Sequence, residues 1–190
     1  MMIRPYEPGD IDAVGLLFAE RGLIFDRPLF EWKKQAPSVF SWVGVSEGQV
    51  VAHYCVIEMP LWAGVRTGFA VDAIFSKSAS TVPNISAMLN QALEECKDAG
   101  IDVVIGFAND RMAPLKRFLG WNAAPGYSLQ VSYGEQQIDG ADGRTRTEFR
   151  DSPYDRWRWG KCPRTYQTSG DLSLIVKPYS ETVDEAPLLL

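Results

Sequence analysis

At 190 residues, the chain has the length of one domain, or of one domain with an appendage, and can bury a substantial core. Hydrophobic residues at 46% and charged residues at 23% exclude global disorder. A net charge of −5 with no basic tract argues against a nucleic-acid binder held by phosphate contacts.

The three cysteines, Cys55, Cys96 and Cys162, are odd in number and fit no metal-ligand spacing. Cys55 and Cys96 fall within apolar patterns and are expected as buried thiols. No apolar run reaches membrane-spanning length and none opens the sequence, so a soluble, cytoplasmic protein without a signal peptide is expected.

Met1–Tyr6 reads as an edge strand. Asp10 is placed to cap a helix over Ile11–Arg21, where Ile11, Val14, Leu17 and Phe18 recur at helical spacing and Gly22 can end the run. A short helix is predicted over Pro28–Gln35, with Pro28 in its first turn. Phe40–Val45 and Gln49–Met59 are strand-like and joined through Ser46-Glu47-Gly48, which predicts a hairpin. Arg66–Phe75 adds a third antiparallel strand.

The period then changes. Ile85, Met88, Leu89, Ala92, Leu93 and Cys96 mark one face of a helix over Val82–Ala99, with Ser80 or Thr81 to cap it and Gly100 to end it. Ile101–Phe107 is continuously apolar, as a buried central strand would be. A short helix from near Ala113 to Leu119 and a strand over Tyr127–Tyr133 follow. Glu135–Arg150 is polar and predicts a surface loop. Asp151–Trp159 reads as helical, Leu172–Val176 as a late strand and Ser180–Ala186 as an acidic tail.

Local segments give this order a family likeness. Ile105-Gly106-Phe107-Ala108-Asn109, ten residues and then Gly120-Trp121 resemble the strand–helix–strand unit of the acyl-CoA N-acyltransferase (GNAT) superfamily. Val51-Ala52-His53-Tyr54 and Val71-Asp72-Ala73-Ile74 are similar to third- and fourth-strand segments of one subgroup. The run Tyr154–Trp159 with Pro163 and Tyr166 resembles a Trp-rich element of the same subgroup.

The resemblance implies an α/β (α+β) fold with a mixed, mostly antiparallel central sheet flanked by helices. It implies a GNAT-like domain over residues 1–135, a surface loop over 136–150 and a C-terminal Trp-rich extension over 151–190 packing on the same domain. It also implies acetyl-CoA or another acyl-CoA as co-substrate, with no metal.

In that fold the fourth strand offers unpaired backbone groups to the pantetheine arm, which here assigns Ala73, Ile74 and Phe75. A glycine-rich loop at the next helix then receives the pyrophosphate. This chain departs from that pattern. Phe75–Ser86 contains no glycine and no arginine, and Pro83 removes a donor. Ser80, Thr81 and Asn84 are candidate replacement donors or ordinary capping residues. Asn109 is expected to hold the strand-to-helix turn and to touch the cofactor. Lys116 stands where many relatives carry a tyrosine that protonates the leaving thiolate. It is either a solvated helix lysine or, if its pKa falls, a proton donor.

Direct N-acyl transfer needs a base and a polarised thioester carbonyl, and no enzyme nucleophile. Asp72 is the first candidate base, because it interrupts an apolar strand and a buried carboxylate tends towards a raised pKa. Glu58, at the end of the third strand, is the second. His53, the one histidine, could act as a base near neutral pH. Trp32, Tyr54, Trp157 and Trp159 are candidate linings of an acceptor pocket, and Arg158 could hold an anionic group there. Each has a structural alternative: a carboxylate bonded to loop backbone, an exposed strand-end charge, a satisfied histidine, an aromatic core.

The sequence thus predicts an N-acyltransferase, acetyl-CoA-dependent by default, acting on a small amine or amino sugar, with no nucleic-acid or membrane partner. The alternatives are a non-catalytic GNAT-like binding domain and an acyltransferase fed by an acyl carrier protein. The sequence leaves monomer and homodimer open.

Overall fold

A computed structural model describes residues 1–62, 64–107, 112–122, 152–163, 167–168 and 175–176. The predicted strand over Tyr127–Tyr133, the loop over Glu135–Arg150, Tyr166 and Asn109 lie outside the described residues. The chain forms two compact units, Met1–Asp139 and Gly140–Leu190.

The first unit is built on five strands: β1 (Met2–Pro5), β2 (Val39–Ser46), β3 (Gln49–Trp62), β4 (Val65–Phe75) and β5 (Val103–Ile105). They lie in the order β1-β2-β3-β4-β5. The first three pairings are antiparallel and β4 runs parallel to β5. The helices are α1 (Ile11–Glu20), α2 (Arg27–Lys34), α3 (Val82–Asp98) and α4 (Met112–Phe118). Among the described residues no helix is long and apolar enough to cross a membrane.

The β2–β3 hairpin closes on two residues, Glu47 and Gly48, with φ of 51° and 77°. Positive φ at both central positions suits the right-handed twist of the paired strands. Thr81 caps α3 by accepting from the Asn84 N–H at 3.5 Å. Past its end Gly100 takes φ of 82°, and Ile101 N–H returns to Cys96 O at 2.9 Å.

Two expectations are corrected. Asp10 precedes α1 but its side chain makes no cap bond. Instead it accepts two hydrogen bonds from the Arg4 guanidinium, at 2.7 and 2.8 Å, which hold its carboxyl below the usual range. Its Oδ2 also accepts from the Glu7 N–H at 2.8 Å, so the carboxylate closes the short turn before α1 and not the first turn of α1 itself. The second correction concerns β5. It is short, pairs only with β4 among the described residues, and Val103 is exposed.

Helices cover both faces of the sheet. On one face Trp42, Ala52, Tyr54, Val56 and Phe75 pack against Ile85, Met88, Leu89, Ala92 and Cys96 of α3. This dry layer follows from alternation on the strands meeting the 3.6-residue period of α3. The opposite face packs Val43 against Val14 of α1 and Phe30 of α2, with Tyr6 and Phe25 alongside.

In the second unit, α5 (Pro153–Gly160) starts at Ser152, whose side chain accepts from Asp155 N–H at 3.0 Å. A ladder joins β6 (Gln167–Thr168) to β7 (Ile175–Val176), which falls within the strand predicted over Leu172–Val176, whose residues 172–174 lie outside the described residues.

Candidate functional site

The geometry of the site begins with a bulge in β4. Cys55 of β3 pairs with Val71 and His53 pairs with Ile74, so Tyr54 alone faces both Asp72 and Ala73. Asp72 absorbs the extra residue with φ of 50°. Outside glycine this conformation is uncommon, and aspartate is among the residues that tolerate it. The bulge turns Asp72 towards α2, where its Oδ1 accepts from Lys33 Nζ at 2.7 Å. Both side chains are largely buried, at 8% and 13% exposure. The second oxygen, Oδ2, is enclosed and receives no hydrogen bond.

β4 also leaves its parallel partner at this point. β5 pairs only with Thr67, Gly68 and Phe69. Among the described residues, positions 70–75 have no partner along that edge. A strand edge of this kind presents N–H and C=O groups to whatever extended, amide-bearing chain lies beside it.

Beneath the bulge lies a buried polar group of residues. The fully buried His53 donates from Nδ1 to the Asp72 carbonyl at 3.0 Å, since a carbonyl can only accept. That assigns the lone pair to Nε2, which receives Lys34 Nζ at 2.9 Å, with Ser41 Oγ 3.1 Å away. Lys34 also donates to Ser41 Oγ at 2.8 Å and lies over the Phe30 ring at 4.5 Å. Burial, and then the Lys34 charge, holds the His53 pKa well below the ordinary imidazole value. His53 is thus a neutral cross-link between β3, β4 and α2, with both ring nitrogens engaged. This corrects the expectation of a histidine facing an acceptor.

Glu58 is not brought to this cluster. It pairs with Gly68, four positions along β4 from Asp72, or about 13 Å at strand rise. There it forms a bidentate pair with the Arg66 guanidinium at 2.8 Å, which lowers its pKa. Tyr54 points the other way, into the α3 core, stacked on Trp42 with its centroid 6.1 Å away. Its enclosed hydroxyl lacks a partner, and burial raises its pKa. A core position corrects its assignment to a substrate pocket.

Trp32 is buried on α2. Trp157 and Arg158 are buried on α5 of the second unit, where Arg158 Nη1 lies 3.9 Å from Cys162 Sγ. Trp159 belongs to the same helix.

The turn from β4 into α3 has most of its amides already engaged, within the turn or by β3 and α1. Ser76 N–H bonds to Val51 O, Ser80 N–H to Ser76 O and Thr81 N–H to Ala79 O. Ala79 N–H bonds to Ser76 Oγ and Asn84 N–H to Thr81 Oγ1. Lys77 N–H is taken by the Glu20 carboxylate at 2.7 Å. Asn84 Nδ2 donates to Ala79 O at 3.2 Å. Thr81 and Asn84 therefore act as capping and turn residues. Ser80 is exposed, Ala73 is exposed, and Ile74 and Phe75 are buried.

Pure sequence reasoning missed Lys33 and Lys34, although both lie on the short helix predicted over Pro28–Gln35. The signal available was weak: two consecutive lysines on a helix otherwise read as solvated. Lys116 is a second surprise. It is buried at 8% exposure rather than solvated, and burial lowers its pKa.

No family profile and no curated protein matches the sequence. Solved structures do. A predicted acetyltransferase from Clostridium acetobutylicum, solved with acetyl-CoA, matches at 14% identity and a TM-score of 0.57, covering 69% of this chain and 95% of that one. A GNAT family acetyltransferase from Staphylococcus aureus matches at 10% and 0.55, covering 68% and 98%. Glucosamine-6-phosphate N-acetyltransferase from Arabidopsis thaliana matches at 18% and 0.52, covering 71% and 98%. The class follows from this likeness: the chain has the fold of the GNAT acyltransferases.

Proposed function

We propose that this chain is an N-acyltransferase that moves an acyl group from a pantetheine thioester, with acetyl-CoA as the default donor, to a small amine or amino sugar. The observation that carries the reading is the edge of β4 over positions 70–75, which has no partner among the described residues and lies beside a bulge that holds a buried carboxylate. Pantetheine is an extended chain with two amides, so it can complete that edge as a strand would. The amine attacks the thioester carbonyl directly. A new C–N bond forms, the C–S bond breaks and the thiol leaves.

Asp72 is the base in this reading, because Oδ2 keeps its acceptor capacity while Lys33 holds the other oxygen. Ala73, Ile74 and Phe75 supply the backbone beside the donor. A small amine or amino sugar is supported by the glucosamine-6-phosphate N-acetyltransferase among the structures of this fold.

Isothermal titration with acetyl-CoA, followed by an acceptor screen reading thiol release, tests the proposal. Binding plus acceptor-dependent thiol release is the expected outcome. Absence of binding by both acetyl-CoA and an acetyl-pantetheine would end it.

A second reading is favoured by one observation, the self-satisfied turn from Ser76 to Asn84, with a glutamate already on the Lys77 amide. Such a turn has few N–H groups to spare for a diphosphate. Under this reading the donor is a pantetheine thioester on an acyl carrier, or the domain binds without catalysing. Equal turnover of acetyl-CoA and an acetyl-pantetheine lacking the nucleotide would favour the carrier.

A further inference from the structure

Lys116 sits on α4 with its amine at the fork where β4 and β5 part. An ideal Cβ on Gly106, the residue just after β5, would lie 3.3 Å from Lys116 Nζ, 3.0 Å from Ala70 Cβ and 3.4 Å from Ala70 O. Ala70 is the first residue of β4 beyond its pairing with β5. A side chain at position 106 would therefore fill the fork, and glycine leaves it to the amine.

The amine is unlike the other buried lysine of this unit. Lys33, equally buried, has Asp72 at 2.7 Å. Among the described residues no carboxylate and no carbonyl receives Lys116 Nζ, and its neighbour is the Trp121 ring at 4.2 Å. The ring favours the charged form, but burial prevails and lowers the pKa. A buried amine with no counter-charge among the described residues sheds its proton more readily than an exposed lysine, and the neutral amine is the nucleophile.

We propose that Lys116 is a self-acylation site: its amine, standing in the fork of β4 and β5, accepts the acyl group of a thioester laid along the free edge of β4. This rests on the acyl-thioester reading given above. The neutral Nζ adds to the thioester carbonyl carbon. The N–C bond forms, the C–S bond breaks, and the proton lost from nitrogen ends on the departing sulfur. The products are an amide at Lys116 and a free thiol, with no oxidant or further reactant. Acylation fills the fork with the new amide.

The test uses the full chain with acetyl-CoA and, separately, with S-acetyl-N-acetylcysteamine. Intact mass and peptide mapping follow the protein, while thiol release to an added amine follows turnover. The expected result is a gain of one acyl group at Lys116, at a first-order rate unchanged by dilution of the protein. Lys116→Arg and Lys116→Met should both lose that gain. Thiol release to the amine without acylation of the chain would overturn the inference and leave the transferase reading standing. So would acyl groups spread over exposed lysines such as Lys97 and unchanged in the variants. Neither thiol release nor mass gain with either thioester would overturn both.

Discussion

The two ends of β4 carry an ion pair each, and they differ in almost every respect that matters. At the start of the strand, Arg66 and Glu58 meet at 2.8 Å with exposures of 49% and 24%. There the strand is paired on both sides, through Gly68 to β3 and to β5. At the bulge, Lys33 and Asp72 meet at 2.7 Å, almost wholly buried, beside an edge that β5 has left. The first pair ties down strand ends in water, where screening and side-chain entropy cancel most of the attraction. The second replaces water around both charges, so neither partner can be removed cheaply. Similar chemistry a few residues apart thus serves surface order in one place and site geometry in the other.

The largest effect should come from Asp72→Asn. Asparagine tolerates positive φ, so the substitution removes the charge and spares the backbone. Leaving Lys33 buried without its counter-charge should cost about 3 kcal/mol of stability by urea unfolding, together with loss of any transferase activity. Adding Lys33→Met should recover part of the stability, because the pair is coupled. A cost below about 1 kcal/mol would mean that the two ends of β4 are alike after all.

A smaller effect concerns His53. Its folded-state pKa is depressed, whereas in the unfolded chain it titrates near 6.5. Below that value the unfolded state binds a proton that the folded state refuses, so stability is full above about pH 6.5 and falls as pH drops. The slope approaches about 1.4 kcal/mol per pH unit for one proton. Urea unfolding between roughly pH 7 and pH 5 should show that slope, and His53→Gln should flatten it. An unchanged slope in the variant would mean that His53 does not stay neutral in the fold.

The smallest effect should be that of Glu58→Gln. The unfolding midpoint and any acyl-transfer rate should stay within error of the parent. A substantial fall in activity with unchanged stability would return Glu58 to the chemistry and break the contrast between the two ends.

Much of the architecture was legible before any coordinates. The α3 face follows from Ile85, Met88, Leu89, Ala92, Leu93 and Cys96 recurring at helical spacing, and all of these but the half-buried Leu93 are found buried. The β2–β3 turn was visible in Glu47-Gly48, and the end of α3 in Gly100, because positive φ selects residues locally. Asp72 stood out because an apolar strand has no reason to hold a carboxylate. Its partner did not stand out. Lys33 lies 39 positions away, and nothing in a helical Lys-Lys says which lysine turns inward.

Local rules therefore determined which segments became helix, strand and turn, since periodicity and φ preferences act over a few residues. Tertiary structure decided the rest. The bulge at Asp72 depends on how β3 and β4 register, and the free edge depends on β5 stopping at Ile105. The state of His53 depends on a lysine from another element. The burial of Lys116 depends on residues of other segments, Gly106, Ala70 and Trp121, lying near its amine. Burial and partnership, which set the charge of each of these groups, exist only once distant segments meet.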